Sequence, residues 1–134
     1  MRRILSIFLM PILCMVIILG CQSNESLDPE ISSEEQSDVG NQIMKNLDII
    51  INNKEIQASS NPNDYIKANQ KLYENIVITG DKGLEFLVHE LRNSKDDGLK
   101  EWIMAKTCED IINQKMNGWS TGKEWLAKYE ELKK

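Results

Sequence analysis

The side chains that most often carry out catalysis are scarce in this sequence. It contains one histidine, His89, and three cysteines. A zinc-protease helix needs two histidines four residues apart, and position 93 is an asparagine. Cys108 lies among apolar residues, where a thiol stays protonated and unreactive. We therefore predict no catalytic residue, no metal site and no cofactor, and we expect that the protein is not an enzyme.

An acidic pair, Asp96-Asp97 before Gly98, is the only other motif that suggests chemistry, in this case calcium binding. A calcium loop of the EF-hand type needs twelve residues with alternating oxygen ligands and a final glutamate. That pattern is missing after Asp96. We therefore interpret the pair as a turn that leads into a helix.

Aromatic side chains are the remaining candidates for a binding site. Exposed aromatic rings stack on sugars or anchor a protein partner. Trp119 lies in a turn flanked by glycines and is the residue that we most expect to contact a ligand. Trp125 and Tyr129 follow in the next helical segment, where packing in the core is the competing interpretation. The sequence thus predicts a binding site that includes Trp119, Trp125 and Tyr129.

The first 21 residues have the layout of an export signal. Arg2 and Arg3 precede an apolar run over 4–19, and Gly20 and Cys21 follow. A basic start, an apolar stretch and a small residue are typical of a secretory signal. The apolar run is shorter than the roughly 20 residues that span a bilayer. An uncleaved membrane anchor is the alternative interpretation.

The stretch Ile18-Leu19-Gly20-Cys21 resembles the lipobox of bacterial lipoproteins. This resemblance implies that residues 1–20 are a cleaved signal peptide and that the Cys21 thiol carries a diacylglyceryl group. It also implies a protein that its lipid anchors on the extracytoplasmic face of the cell membrane. The membrane would then be a partner through the lipid, since each buried CH₂ contributes about 0.8 kcal/mol.

Residues 21–40 read as a disordered acidic tether. Six acidic residues and no lysine or arginine occur between positions 22 and 40, and large apolar residues are rare. Such a segment cannot bury enough surface to offset the entropy of ordering. The formal net charge of the chain is −5, and clustered lysines and arginines are missing, so we predict no nucleic-acid partner.

Residues 41–134 carry the apolar periodicity of an all-α domain. We predict a small bundle or array of about five helices and no sheet. The segment 99–113 is apolar on several faces and is therefore expected to be the central helix. Ser60 or Asn61 before Pro62, and Thr121 three residues before Glu124, predict helix starts. The predicted helices cover 42–52, 62–78, 82–92, 99–113 and a final segment that begins near 120.

Two resemblances concern this domain. The segments 83–87 and 104–112 resemble one HEAT-type unit, although a plain orthogonal bundle fits the same pattern. The segments 60–66, 98–105 and 122–125 resemble a small helical domain of low-GC Gram-positive bacteria, which occurs alone or appended to beta-lactam-sensing membrane metallopeptidases. The second resemblance implies a binding or sensing accessory and transfers no catalytic residue.

Two hypotheses for function follow. The first is a lipid-anchored protein-binding or accessory module with a partner in the cell envelope, which predicts a contiguous exposed apolar patch. The alternative is a lipoprotein that binds a small ligand or a cell-wall glycan through Trp119 and neighbouring aromatic residues. It predicts a concave pocket that contains aromatic and hydrogen-bonding groups.

Overall fold

The fold is described by a computed structural model over residues 33–134, with side chains from residue 37 onward. The predicted signal peptide, Cys21 and the first part of the predicted tether lie outside the described residues. Within them the chain is a small bundle of six α-helices without any strand, so the all-α prediction is confirmed. No helix in this part is long and apolar enough to cross a membrane. The helices are α1 Ser33–Ile51, α2 Pro62–Ala68, α3 Gln70–Val77, α4 Gly80–Asn93, α5 Leu99–Ile111 and α6 Gly122–Glu131.

Helix α1 begins at Ser33 rather than at residue 42, so residues 33–40 of the predicted tether are helical. Val39 lies one helical turn before the apolar stripe of α1 and packs against the core. Gly40 is buried beneath Phe86: a Cβ atom on Gly40 would lie 2.6 Å from the Phe86 ring. Tertiary contact therefore extends the helix into a segment whose composition is that of a tether.

The prediction of one helix over 62–78 is wrong, because the helix is interrupted at Asn69, between α2 and α3. Asn69 has φ −127° and ψ 34°, which are not helical values. Its side-chain Nδ2 donates to the Tyr65 carbonyl at 2.9 Å, and its Oδ1 accepts from Asn53 Nδ2 at 3.2 Å. A side chain that bonds the neighbouring backbone competes with the helical ladder. This break raises the number of helices from the expected five to six.

Helix α5 is the centre of the bundle, as its apolar faces predicted. It contacts each of the five other α-helices. Thr107 is buried on it, and its hydroxyl donates to the Ile103 carbonyl at 2.8 Å, so no polar group is left unpaired there. The apolar core is shared by all helices and contains, among others, Ile43, Leu47, Ile50, Ile76, Leu87, Leu91, Ile103, Met104, Cys108 and Trp125.

Candidate functional site

The starts of α2, α5 and α6 meet at one concave surface, which we call the aromatic cleft. Its volume is about 360 Å³. Two of the three sequence segments that resemble the Gram-positive domain, 60–66 and 98–105, contribute lining residues. The third, 122–125, directly follows the lining residue Thr121. Its lining residues are Ser59, Ser60, Pro62, Tyr65, Asp97, Gly98, Leu99, Trp102, Ser120 and Thr121.

The side of the cleft that α2 contributes is held by local caps. Asn61 Oδ1 accepts from the Asn63 backbone N–H at 3.1 Å, which confirms Asn61 as the cap before Pro62. Ser59 Oγ donates to Asp64 Oδ2 at 2.6 Å and accepts from the Asn61 N–H at 3.1 Å. These bonds satisfy donors that the first helical turn leaves open. They fix the loop that carries Ser59 to the rim of the cleft.

The start of α5 is held by the buried carboxylate of Glu101. Its Oε2 accepts from the Gly98 N–H at 2.9 Å and its Oε1 accepts from Ser94 Oγ at 2.7 Å. Burial by itself raises the pKa of Glu101, but these hydrogen bonds outweigh it and lower the pKa below its usual value. The turn that contains Asp96 and Asp97 is thus a helix start, as we interpreted it.

The start of α6 is capped on both sides. Thr121 Oγ1 accepts from the Glu124 N–H at 3.3 Å, as the spacing predicted, and Glu124 Oε2 accepts from the Ser120 N–H at 2.7 Å. Asp97 Oδ1 accepts from the Lys123 N–H at 3.1 Å, which ties the turn before α5 to the first turn of α6. The two helix starts are therefore held together by a carboxylate at the edge of the cleft.

The aromatic wall of the cleft is made by Trp102 and Tyr65. Trp102 packs against Trp119 with ring centroids 5.4 Å apart and planes tilted by 41°. Both tryptophans are half-buried. Tyr65 is only 7% exposed, yet it lines the cleft. Trp119 thus lies beside a concave site through its contact with Trp102, although Trp119 itself is not one of the lining residues.

Trp125 and Tyr129 do not join Trp119 in this site. Trp125 is 0% exposed and stacks on Tyr129 with centroids 5.1 Å apart and planes at 13°. Trp125 is therefore a core residue, since α6 turns its apolar face onto α5. Tyr129 is also buried, with the Lys133 ammonium 4.8 Å from the centre of its ring. The predicted trio is consequently separated into a half-exposed Trp119 and a buried stacked pair.

A second concave surface, which we call the α3 groove, runs along α2 and α3 beside the last turn of α5. Its volume is about 480 Å³. Ile78 lies at the end of α3 and is 79% exposed. The Tyr73 phenol donates to Asp110 Oδ2 at 2.7 Å and closes one side. Burial, followed by the Asp110 carboxylate, raises the pKa of Tyr73. The lining residues are Ile66, Lys67, Gln70, Tyr73, Glu74, Val77, Ile78 and Asp110.

The groups that the sequence offered for catalysis lie apart from both surfaces. The His89 ring is exposed and contacts the Asn93 amide at 3.0 Å. Cys108 is fully buried, and burial raises its pKa, which keeps the thiol protonated. Among residues 33–134, no group of three potential metal ligands is close enough to hold an ion.

The binding site predicted from the sequence did not include Tyr65, Trp102 or Ile78. Tyr65 and Trp102 fit helical apolar stripes, which usually indicate core positions. The signal that pointed to their region was the set of three helix starts at Pro62, Leu99 and Gly122, although nothing local showed that these starts meet. Comparisons with protein-family models, with curated proteins and with solved structures found no match to this chain.

Proposed function

We propose that this protein is a lipid-anchored, extracytoplasmic protein-binding or accessory module that docks an envelope protein through the α3 groove. The export-signal layout and the lipobox at Cys21 support the anchor and its outward orientation. The bundle suits a protein that presents a binding surface, because helices packed around a central α5 hold their surface residues in fixed positions. Apolar side chains with hydroxyl and charged groups at their edges line both surfaces, and this mixture suits binding.

The observation that carries this proposal is the exposure of Ile78 in an apolar groove. A large aliphatic side chain that stays in water forgoes about 1.5–3 kcal/mol that complete burial would provide. Ile66 and Val77 continue the apolar floor, while Lys67 and Glu74 supply charges at its rim. An apolar centre with a polar rim is the usual arrangement of a protein interface.

The test is photocrosslinking in intact cells, with a photoreactive residue in place of Gln70, which lines the α3 groove. We expect one crosslinked envelope protein, identified by mass spectrometry, whose yield falls at least about tenfold in Ile78→Asp, since each tenfold is about 1.4 kcal/mol. Leu132→Asp is the matched control, because Leu132 is 61% exposed and does not line the groove. Crosslinking that both substitutions leave unchanged would overturn the proposal.

The anchor has a separate test. The mass of membrane-extracted protein should correspond to a chain that begins at Cys21 and carries a diacylglyceryl group. Cys21→Ala should lose the added lipid, while Cys108→Ala should keep it. An unmodified mass with residues 1–20 retained would instead indicate a membrane anchor that is not cleaved.

An alternative function is binding of a small ligand or a cell-wall glycan. The aromatic cleft favours it, since Trp102 and Tyr65 stand beside the hydroxyl groups of Ser60 and Ser120. A volume of about 360 Å³ lies within the range of small-ligand sites.

A further inference from the structure

We infer that the aromatic cleft binds a neutral saccharide, with the Tyr65 phenol and the Trp102 indole as its principal contacts. This inference rests on the alternative function, ligand or glycan binding, and names the ligand class and the residues. It is independent of protein docking at the α3 groove.

The cleft contains hydrogen-bonding groups that the protein itself does not use. Within residues 33–134, no protein group pairs with the Tyr65 phenol, the Trp102 indole N–H or the hydroxyls of Ser60 and Ser120. Phenol and hydroxyl groups both donate and accept, whereas the indole only donates. This mixture matches sugar hydroxyls, which also donate and accept.

Among these groups, Tyr65 gives the strongest indication of a ligand contact. It is 93% buried by surface area, since only 7% is exposed, and buried tyrosine hydroxyls usually find a partner. The fully buried unpaired side-chain atoms of the described residues are Asn46 Nδ2 and Trp125 Nε1. The Tyr65 oxygen is not one of them, so it reaches solvent, and the opening that Tyr65 lines is the cleft.

The charges around the cleft disfavour an anionic ligand. Helix N-termini attract negative groups, but those of α5 and α6 already hold carboxylates of the protein. Glu101 accepts from Gly98, and Asp97 accepts from Lys123. Asp97 itself lines the cleft, and none of the ten lining residues is a lysine or arginine. A phosphate or carboxylate ligand would thus meet a like charge without a compensating cation.

The cleft also presents an aromatic surface on which a sugar ring can pack. The Trp102 ring is half-buried and is braced by Trp119 at 5.4 Å, so its position is fixed before any ligand arrives. An aromatic face offers apolar area at low entropic cost. The hydrogen-bearing face of a sugar ring can pack on such a surface while its hydroxyl groups bond at the edge.

The experiment is a fluorescence titration of the full-length, detergent-solubilised protein. The neutral probes are N,N′,N″-triacetylchitotriose and maltotriose, and the anionic probes are inorganic phosphate and poly(glycerol phosphate). We expect saturable quenching or a shift of tryptophan emission with a neutral probe, and none with the anionic probes. Tyr65→Phe should weaken binding about tenfold, as expected for the loss of one well-placed hydrogen bond.

Tyr73→Phe is the matched control. It removes the same phenol oxygen, but from a tyrosine that bonds Asp110 in the α3 groove. Its saccharide affinity should remain that of the unaltered protein, and helical circular dichroism should show that both variants fold. Equal weakening in Tyr65→Phe and Tyr73→Phe would overturn the assignment of Tyr65.

The remaining outcomes distinguish the neutral-saccharide inference from the alternative function, which is ligand binding at the cleft. Binding of phosphate or poly(glycerol phosphate) that depends on Tyr65 would overturn the neutral-saccharide inference and keep ligand binding at the cleft. If no probe binds at concentrations up to about 10 mM, which corresponds to less than about 3 kcal/mol of affinity, the inference and the alternative function both fail. Either outcome leaves the proposed protein docking at the α3 groove intact, because its test is the crosslink that depends on Ile78.

Discussion

Gly122 determines how closely α6 approaches α5, and Gly122→Ala tests that approach. A Cβ atom at this position would lie 2.6 Å from the Glu101 carbonyl oxygen and 2.7 Å from its carbonyl carbon. Favourable contacts between such atoms need about 3.5–4.0 Å. Because the obstructing atoms belong to the backbone of a central helix, α6 must move by about an ångström. Such overpacking costs typically about 1–3 kcal/mol.

The favourable effect of alanine reduces this cost. Replacing a glycine lowers the entropy of the unfolded chain, which stabilises a protein by about 0.4–1 kcal/mol where the backbone allows it. We therefore expect a net loss of about 1–2 kcal/mol in the free energy of unfolding. For a domain of about 100 residues this corresponds to a melting temperature lower by about 5–15 °C.

Urea denaturation followed by circular dichroism and by tryptophan fluorescence, to which buried Trp125 contributes, measures the effect. Gly98→Ala is the control, since a Cβ atom there would lie 3.8 Å from its nearest neighbour, Glu101 Oε2. Its stability should remain within about 0.5 kcal/mol of the original, because a poorer cap offsets the entropy gain. If Gly122→Ala is as stable as Gly98→Ala, the close approach of α5 and α6 does not constrain the fold.

Glu101, Tyr73 and Cys108 are buried titratable groups whose contributions can be measured. Glu101→Gln should lower the free energy of unfolding by about 1–2 kcal/mol at pH 7. The pKa of Glu101 in the folded state lies below the unfolded value of about 4.3, so the stability difference between the two proteins should vanish as pH falls through the folded pKa. Urea midpoints at several pH values measure this difference. Tyr73 has a raised pKa in the folded state, so its contribution to the stability of the fold is present below about pH 10 and is lost as pH rises. In alkali, the urea midpoint of Tyr73→Phe should therefore decline less steeply than that of the unaltered protein. Cys108 should resist Ellman's reagent in the folded protein and react as one additional thiol after unfolding in urea.

The starts of α2 and α6 were predictable from the sequence because their chemistry is local. Asn61 before Pro62 and Thr121 before Glu124 involve residues within three positions of each other, and the structure contains both caps. The central position of α5 was predictable as well, since a helix that is apolar on several faces must be covered on several faces. These features need no knowledge of which elements meet.

The break between α2 and α3 was not predictable, because it depends on distant groups. Asn69 is engaged by Asn53, which lies sixteen residues earlier. A pattern of apolar residues continues through this position, and only the tertiary contact shows that the helix stops. The extension of α1 to Ser33 has the same origin, since Val39 and Gly40 are held by packing.

The candidate site was predictable in residue type and only partly in position. The sequence indicated Trp119 as the residue most expected to contact a ligand, but its partner Trp102 is separated from it by most of α5 and the turn that follows. Trp125 and Trp102 occupy similar stripe positions, yet one is fully buried and the other borders a cleft. Periodicity identifies the inward side of a helix, whereas the gaps between helices depend on how all of them pack.

The two proposed surfaces share α2 and α5, and this has a consequence for how they act together. On α2, which packs on α1, α3 and α5, Tyr65 lines the cleft and its neighbour Ile66 lines the groove. Trp102 lines the aromatic cleft and Asp110 lines the α3 groove, eight residues or about 12 Å apart along α5. Because α5 is packed by every other α-helix, it cannot shift for one ligand without repacking the core. We therefore expect independent sites: saturating saccharide should leave the Ile78-dependent crosslink unchanged. A crosslink that grows or falls severalfold with saccharide would instead show that α5 has two packed positions.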